Sequence, residues 1–314
     1  MSKIKLIAVV GATASGKTAL AVELALALGG EIVSCDSMQL YRGMRVATAV
    51  PTEEERRGVP HHMMEILDPD ESFSVAEYCK RANDCITDIH SRGKIPILCG
   101  GTGLYYSSLA DGVEFADIGG SAEVRERVGA EYDAHGGEYM LAKMAAFDPE
   151  AAARIKPADR KRIVRAFEVY ECTGMSISGH NSLSKQGGSP YDMLALGIDY
   201  VNRENLYERI NKRVDIMLIS GIIEEAREFY RAYPEPGTAA QAIGYKELRP
   251  WLCGELDRDT AVESLKRQTR RYAKRQLSWF RRDERIEWLY AENFAEREQL
   301  TAEAVSRARY FING

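Results

Sequence analysis

The apolar run from Ile4 to Val10, broken only by Lys5 and rich in β-branched types, predicts a buried strand, and Ala19 to Leu28 carries its apolar positions at helical spacing. Short apolar runs at Ile32 to Cys35, Lys94 to Cys99 and Met193 to Ile198 predict further strands, as does His61 to Asp68, and Arg285 to Tyr290 reads as the last one. Phe73 to Ser91 places Val75, Tyr78, Cys79, Ala82, Ile86 and Ile89 on one helical face and stops at Arg92-Gly93. A new helix opens at Leu104, Arg203 to Tyr230 reads as one helix or a broken pair, and Ala239 to Trp251 and Thr260 to Trp279 follow as two more. Val46 to Gly58 is polar, with Pro51 and a run of glutamates, and predicts a loop with a short surface helix. Strands alternating with helices imply an α/β fold with a parallel sheet.

The texture changes near Gly112. Residues 121 to 180 read as helices rich in Ala, Glu and Arg, broken at Gly136-Gly137, Pro149, Pro157 and Gly174, and Gln186 to Pro190 reads as a return linker. The expected organisation is a core made of residues 1–112 and 191–314, interrupted by a helical insertion domain at 113–190. No internal repeat or low-complexity tract is present.

At 314 residues and 45% hydrophobic content the chain can bury a sizeable core. Its opening, Met1-Ser-Lys-Ile-Lys5, leads straight into the first strand, and no apolar run reaches the roughly 18 residues a membrane span needs. A cytoplasmic monomer without a membrane partner is expected. The cysteines at 35, 79, 85, 99, 172 and 253 form no C-x-x-C pair, and His61-His62 has no cysteine or carboxylate at ligand spacing, so neither disulfides nor a zinc site is expected. A net charge of −5 argues against a nucleic-acid partner only if charge is spread evenly. It is not: Lys266 to Arg285 holds nine Lys or Arg against two acids, a local basic patch that is either an RNA-facing surface or a solvated helix face.

The chemistry centres on Gly11-Ala12-Thr13-Ala14-Ser15-Gly16-Lys17-Thr18, which fits G-x-x-x-x-G-K-[ST] between a predicted strand and a predicted helix. In that context successive N–H groups and the positive helix end cradle phosphate oxygens, Lys17 adds a point charge, and Thr18 can ligate Mg²⁺. Whose phosphates are held is left open, since kinases, NTPases and some transferases share the loop. Asp36 follows a strand whose carboxyl end should face the same crevice, across from Lys17. Gly100-Gly-Thr-Gly103 is a second strand-to-helix loop, either a tight connection or a means of bringing Thr102 to phosphate. Arg209 and Arg213, four apart, share one helix face.

Six stretches in order closely resemble the tRNA dimethylallyltransferases, or tRNA isopentenyltransferases. They are Gly11 to Thr18, Asp36-Ser37 with Tyr41-Arg42-Gly43, Gly100 to Tyr105, Arg162 to Tyr170, Gln241 to Lys246 and Arg270 to Arg281. The resemblance runs from residue 4 to about 290, with Ala12 where proline is frequent and Met38-Gln39 in place of the common Ala-Leu. It implies transfer of a dimethylallyl group from dimethylallyl diphosphate to the exocyclic amine of the adenosine 3′ of the anticodon, tRNA position 37, with Mg²⁺ as cofactor. On this reading the loop holds the donor's diphosphate, Lys17, Thr102 and Arg213 complete its clamp with Arg209 as the other candidate, and Asp36 is the general base, or else an N-cap or a group near the metal. The target base is expected to flip out of the anticodon loop into a channel between core and insertion.

The resemblance assigns contact with tRNA to Asp36, Ser37, Met38, Gln39 and Thr102, and to Lys161, Arg162, Ile163, Val164 and Arg165 of the insertion. From the core it adds Gln241, Ala242, Ile243, Gly244, Tyr245 and Lys246, then Lys274, Arg275, Gln276 and Arg281. For Arg125 a tRNA contact and a plain surface role stand equal. Rival readings are a small-molecule P-loop kinase, an adenylate isopentenyltransferase acting on free nucleotide, and a non-catalytic RNA-binding module.

Overall fold

Six parallel strands form one sheet in the order β3-β2-β4-β1-β5-β6. They are β1 Ile4–Gly11, β2 Gly30–Ser34, β3 His61–His62, β4 Ile95–Gly100, β5 Tyr191–Asp199 and β6 Ile286–Tyr290. The structure is a computed structural model and describes residues 3–115, 120–184, 187–234 and 237–314, so Gln186 of the expected linker and the first two residues lie outside it. Strand β1 is central and Leu6 to Val10 are wholly buried, because helices cover both faces of the sheet. Its alternation divides the core in two: Ile7 and Val9 join one apolar cluster, Leu6, Ala8 and Val10 the other.

The helices of this unit are α1 Lys17–Leu28, the short α2 Arg45–Thr48 and α3 Glu53–Arg56, α4 Val75–Ser91 and α5 Gly103–Ala110. The insertion contributes α6 Ala122–Met144, α7 Pro149–Arg154, α8 Arg160–Thr173 and α9 Ile177–Leu183. After β5 come α10 Arg203–Ile219, α11 Ile222–Ala232, α12 Tyr245–Leu252, α13 Arg258–Phe280 and α14 Arg297–Asn313. The chain divides into two compact units, Met1–Ala110 with Pro190–Gly314, and Asp111–Ser189. The second unit has its own core of Val128, Met140, Met144, Ala151, Ile163 and Phe167. Its helix α6 kinks at Gly136, whose φ is 80°, and α7 starts on Pro149, where the missing N–H costs nothing. Among the described residues no helix is long and apolar enough to cross a membrane.

Two sequence expectations are corrected, and one helix is added. The strand expected over His61 to Asp68 is two residues long, because Met63 and Glu65 take φ of 60° and 52° and turn the chain out of the extended region. The helix expected over Ala239 to Trp251 is a 3₁₀ turn, Thr238–Gln241, and then α12, separated at Gly244 with φ of 115°. Helix α14, not identified from the sequence, packs on α1 and β5 through Leu300, Ala304 and Ala308, an alanine-dominated stripe with little hydrophobic contrast.

Glu31, at the start of β2, is buried and accepts from both guanidinium arms of Arg92 and meets His62 Nε2 at 2.7 Å. The Arg92 hydrogen bonds hold its carboxyl down at about 2, against a burial effect in the opposite direction. Because the folded value lies below the ordinary one near 4.5, this stability is present above pH 4.5 and is lost as pH falls toward 2. Glu31→Gln is expected to cost roughly 2 to 3 kcal/mol at pH 7 and less than about 1 kcal/mol at pH 2.5, measured by urea unfolding across pH. An equal cost at both pH values would show that charge is not the cause.

Candidate active site

The loop after β1 takes a left-handed step at Ala14, φ 63°, and at Gly16, φ 100°, before α1 begins on Lys17. Thr13 N–H donates to Gln276 Oε1 at 2.9 Å and Ser15 N–H to the Ala12 carbonyl at 3.3 Å. Gly16 caps α1 without a side chain, so the first amides of the helix are left to an external acceptor, where the helix dipole favours an anion.

Lys17 and Thr18 open into a cavity of about 210 Å³ at the carboxyl ends of the central strands. Asp36 and Arg213 line the same cavity, as do Thr13, Ser37, Met38 and Gln39. Burial pulls the Lys17 ammonium below its ordinary pKa, opposed by Cys99 and Asp36 and reinforced by Arg213. Arg213 is likewise lowered by burial, with Asp36 opposing. Two largely desolvated cations and a helix N-terminus therefore share one carboxylate, an imbalance that a multiply charged anion relieves. Burial also pushes the Cys99 thiol in this cavity up to about 11, so it stays neutral and is no nucleophile near pH 7.

Asp36 is held through its neighbours. Its Oδ1 accepts from Met38 N–H at 3.0 Å, and the next amide, Ser37 N–H, donates to Thr102 Oγ1 at 3.0 Å. Thr102 N–H in turn donates to the Cys35 carbonyl at 3.0 Å. The glycines before Thr102 make this possible: a Cβ on Gly100 would lie 2.1 Å from the Cys35 oxygen, and one on Gly101 2.1 Å from Gln276 Nε2. The loop is thus a tight connection, and Thr102, which does not line the cavity, braces the turn that carries Asp36.

Between the two arginines left open by the sequence, only Arg213 lines this cavity. Arg209 is exposed, donates from Nε to the Ala14 carbonyl at 3.0 Å and lies 5.7 Å from the Tyr200 ring centroid, supporting the loop from outside. Gln241, Ala242, Ile243 and Lys246 line the cavity, as do Arg275 and Gln276. Thr269 and Tyr272 join them at helical spacing on α13, a signal masked in the sequence by the cations around them.

Several residues expected to contact RNA are engaged within the protein itself. Ile163 and Val164 belong to the core of the insertion and leave only Lys161, Arg162 and Arg165 outward, with Arg165 paired to Glu168 at 2.7 Å. Arg125 also faces Glu168, at 3.5 Å. Tyr245 is wholly buried and its hydroxyl donates to Glu225. Gln276 spends both ends of its amide on backbone, accepting from Thr13 and donating to the Gly101 carbonyl at 2.9 Å. Gln39, 9% exposed, accepts from Ser34 Oγ and donates to Thr48 and Ala49 carbonyls. Arg281 pairs with Asp199, whose side chain is 1% exposed, so it neutralises a buried charge. Lys274 and Arg275 remain exposed.

Among the described residues no group of three His, Cys, Asp or Glu side chains could hold a metal. A single hydroxyl, Thr18, beside a phosphate-binding loop nevertheless fits Mg²⁺, which takes much of its coordination from substrate oxygens and water.

A family model described as IPP transferase matches residues 39–283, and one described as isopentenyl transferase matches residues 4–73. The chain is 46% identical over 299 residues to the tRNA dimethylallyltransferase of Caldanaerobacter subterraneus subsp. tengcongensis, with 95% of each chain covered. Its fold is similar to the crystal structure of the tRNA isopentenylpyrophosphate transferase of Bacillus halodurans, with a TM-score of 0.75, 40% identity and coverage of 99% of this chain and 97% of that one. It is also similar to a eukaryotic dimethylallyltransferase described as acting on tRNA, with a TM-score of 0.83 and 29% identity over 99% of this chain and 80% of the other. Matched along nearly its whole length, the chain belongs to the IPP transferase family.

Proposed function

We propose that the protein transfers the dimethylallyl group of dimethylallyl diphosphate to the exocyclic amine of the adenosine 3′ of the anticodon of tRNA, position 37, and releases diphosphate. The observation that carries this reading is one cavity holding Lys17, Thr18 and Arg213 against Asp36. In the reaction the adenine amine attacks the allylic carbon, the carbon–oxygen bond breaks, and its electrons pass to the diphosphate. Lys17, Arg213 and the first amides of α1 take up that charge, having been desolvated and oriented beforehand. The amine must lose a proton as it bonds to carbon. Asp36 accepts it on the oxygen that Met38 does not engage, and Thr102 keeps the turn in place. Thr18 would hold a Mg²⁺ ion together with diphosphate oxygens, and the ion would neutralise leaving-group charge. The protein acts as a cytoplasmic monomer. Incubating it with radiolabelled dimethylallyl diphosphate and unmodified tRNA should place label on one adenosine of the anticodon loop. Label on free adenine nucleotide alone would support the rival acceptor, and no label on any RNA would overturn the proposal.

An acidic chain still needs a surface for a polyanion. On α13 Arg267, Arg271, Lys274 and Arg275 are all exposed, at spacings that keep them on one side of the helix. If they follow the RNA backbone, log affinity falls linearly with log salt, by about 0.7 for each phosphate neutralised on single-stranded RNA. Arg271→Ala with Lys274→Ala is expected to flatten that slope by roughly one to two units in a salt series. Arg281 is avoided because its loss would strand buried Asp199. Equal slopes for the wild type and the double variant would mean that this side of α13 is only a solvated face.

A further inference from the structure

Helix α2 is a single turn, too short to hold itself by its own hydrogen bonds, yet Ala47, Thr48 and Ala49 form part of the cavity wall. Side chains from elsewhere fix it at both ends. The Glu225 carboxylate on α11 accepts from Val46 N–H at 2.8 Å and Ala47 N–H at 2.9 Å. Gln39 donates from Nε2 to the carbonyls of Thr48 and Ala49, both at 3.2 Å, while its Oε1 accepts from Ser34 Oγ at 2.9 Å. Glu225 Oε1 accepts a third bond, from the hydroxyl of buried Tyr245 at 2.9 Å.

That third bond reaches a second stretch of the cavity wall. Tyr245 opens α12 directly after Gly244, and the residues just before it, Gln241, Ala242 and Ile243, line the same cavity. The walls meet closely there, since a Cβ on Gly244 would lie 2.8 Å from Ile222 Cδ1 and 3.7 Å from Ala47 Cβ. Gln39 stands three residues after Asp36. A path of backbone and side-chain hydrogen bonds therefore runs from the turn of Asp36 along the chain to Gln39, then through α2 and Glu225 to Tyr245.

We propose that Glu225 is a positioning residue that sets the separation of these two walls, and thereby the pose of the acceptor base before Asp36. This rests on the transferase function proposed above. The donor's phosphates are gripped by the loop and Lys17, none of which bonds to Glu225. The walls it ties belong instead with the group whose proton Asp36 removes. Glu225→Gln keeps the shape but replaces one accepting oxygen with an NH₂ group facing donors, so at least one of the three bonds is lost.

The test uses the full chain, with Glu225→Gln and, as a milder change, Tyr245→Phe, which removes a single bond. Hydrogen exchange at the Val46 and Ala47 amides should quicken by about tenfold or more in Glu225→Gln. With an anticodon stem-loop RNA, kcat/KM for the RNA should fall roughly 30- to 100-fold, and by a smaller factor in Tyr245→Phe, as expected for a misplaced reactant. Affinity for inorganic diphosphate with Mg²⁺, titrated calorimetrically, should stay within about twofold, a result that general loosening of the core would not leave intact. Unchanged kcat/KM for the RNA in folded Glu225→Gln overturns the role of Glu225 alone, as does a parallel loss of diphosphate affinity. If Glu225→Gln does not fold, an unchanged Tyr245→Phe does the same. Absence of transfer by the wild-type chain overturns the function itself.

Discussion

Lys17→Ala is expected to lower turnover of dimethylallyl diphosphate by a factor of about 30 to 1,000, from the loss of a charge-assisted contact worth roughly 2 to 4 kcal/mol in the transition state. The side chain is buried at the start of α1 in the cavity that also holds Arg213 and Asp36. Burial works against its charge, so removing the ammonium should leave the fold intact, and a thermal melt would show this. The pH dependence follows from the same fact. Because burial lowers the Lys17 pKa, the free protein loses this charge at a lower pH than an ordinary lysine would. Affinity for diphosphate should therefore weaken on the alkaline side in the wild type, and that limb should be reduced in Lys17→Ala. Near-normal turnover in a folded Lys17→Ala protein would rule out the loop as the diphosphate clamp.

Asp36→Asn is expected to reduce turnover by about 10² or more while tRNA still binds. The asparagine oxygen can keep the bond from Met38 N–H, and Thr102 still braces Ser37, so the turn should hold its shape while the base is lost. Single-turnover rates with enzyme in excess separate this from a binding defect. Should RNA affinity collapse while the rate at saturation survives, Asp36 orients the substrate and another group takes the proton.

Legible in the sequence are the features that residues close together along the chain decide. The apolar run of β1, the phosphate loop and the start of α1 are consecutive residues, so their strand, turn and helix conformations follow from local pattern and backbone chemistry. The six motifs in order pointed to the family for the same reason. Roles set by residues far away were not legible. Gln276 holds the amide of Thr13 across 263 positions, Glu225 holds Val46 of α2 across 179, and Arg281 answers a buried aspartate 82 positions earlier. A run of cations or a Gln-Ala-Ile-Gly-Tyr stretch looks equally exposed in sequence, and only packing turned Tyr245 inward and left Lys274 out. Burial was also what separated Ile163 and Val164 from the outward cations beside them. Helix α14 is not legible in the sequence because its buried stripe is mostly alanine, which contrasts too little with its polar side to show a period. The sequence alone determined the phosphate-binding loop and the parallel α/β plan, since both are local. Which side chains face the cavity and which hold its walls was decided by the tertiary structure, because a hydrogen-bonding group's role depends on the partner that folding brings to it.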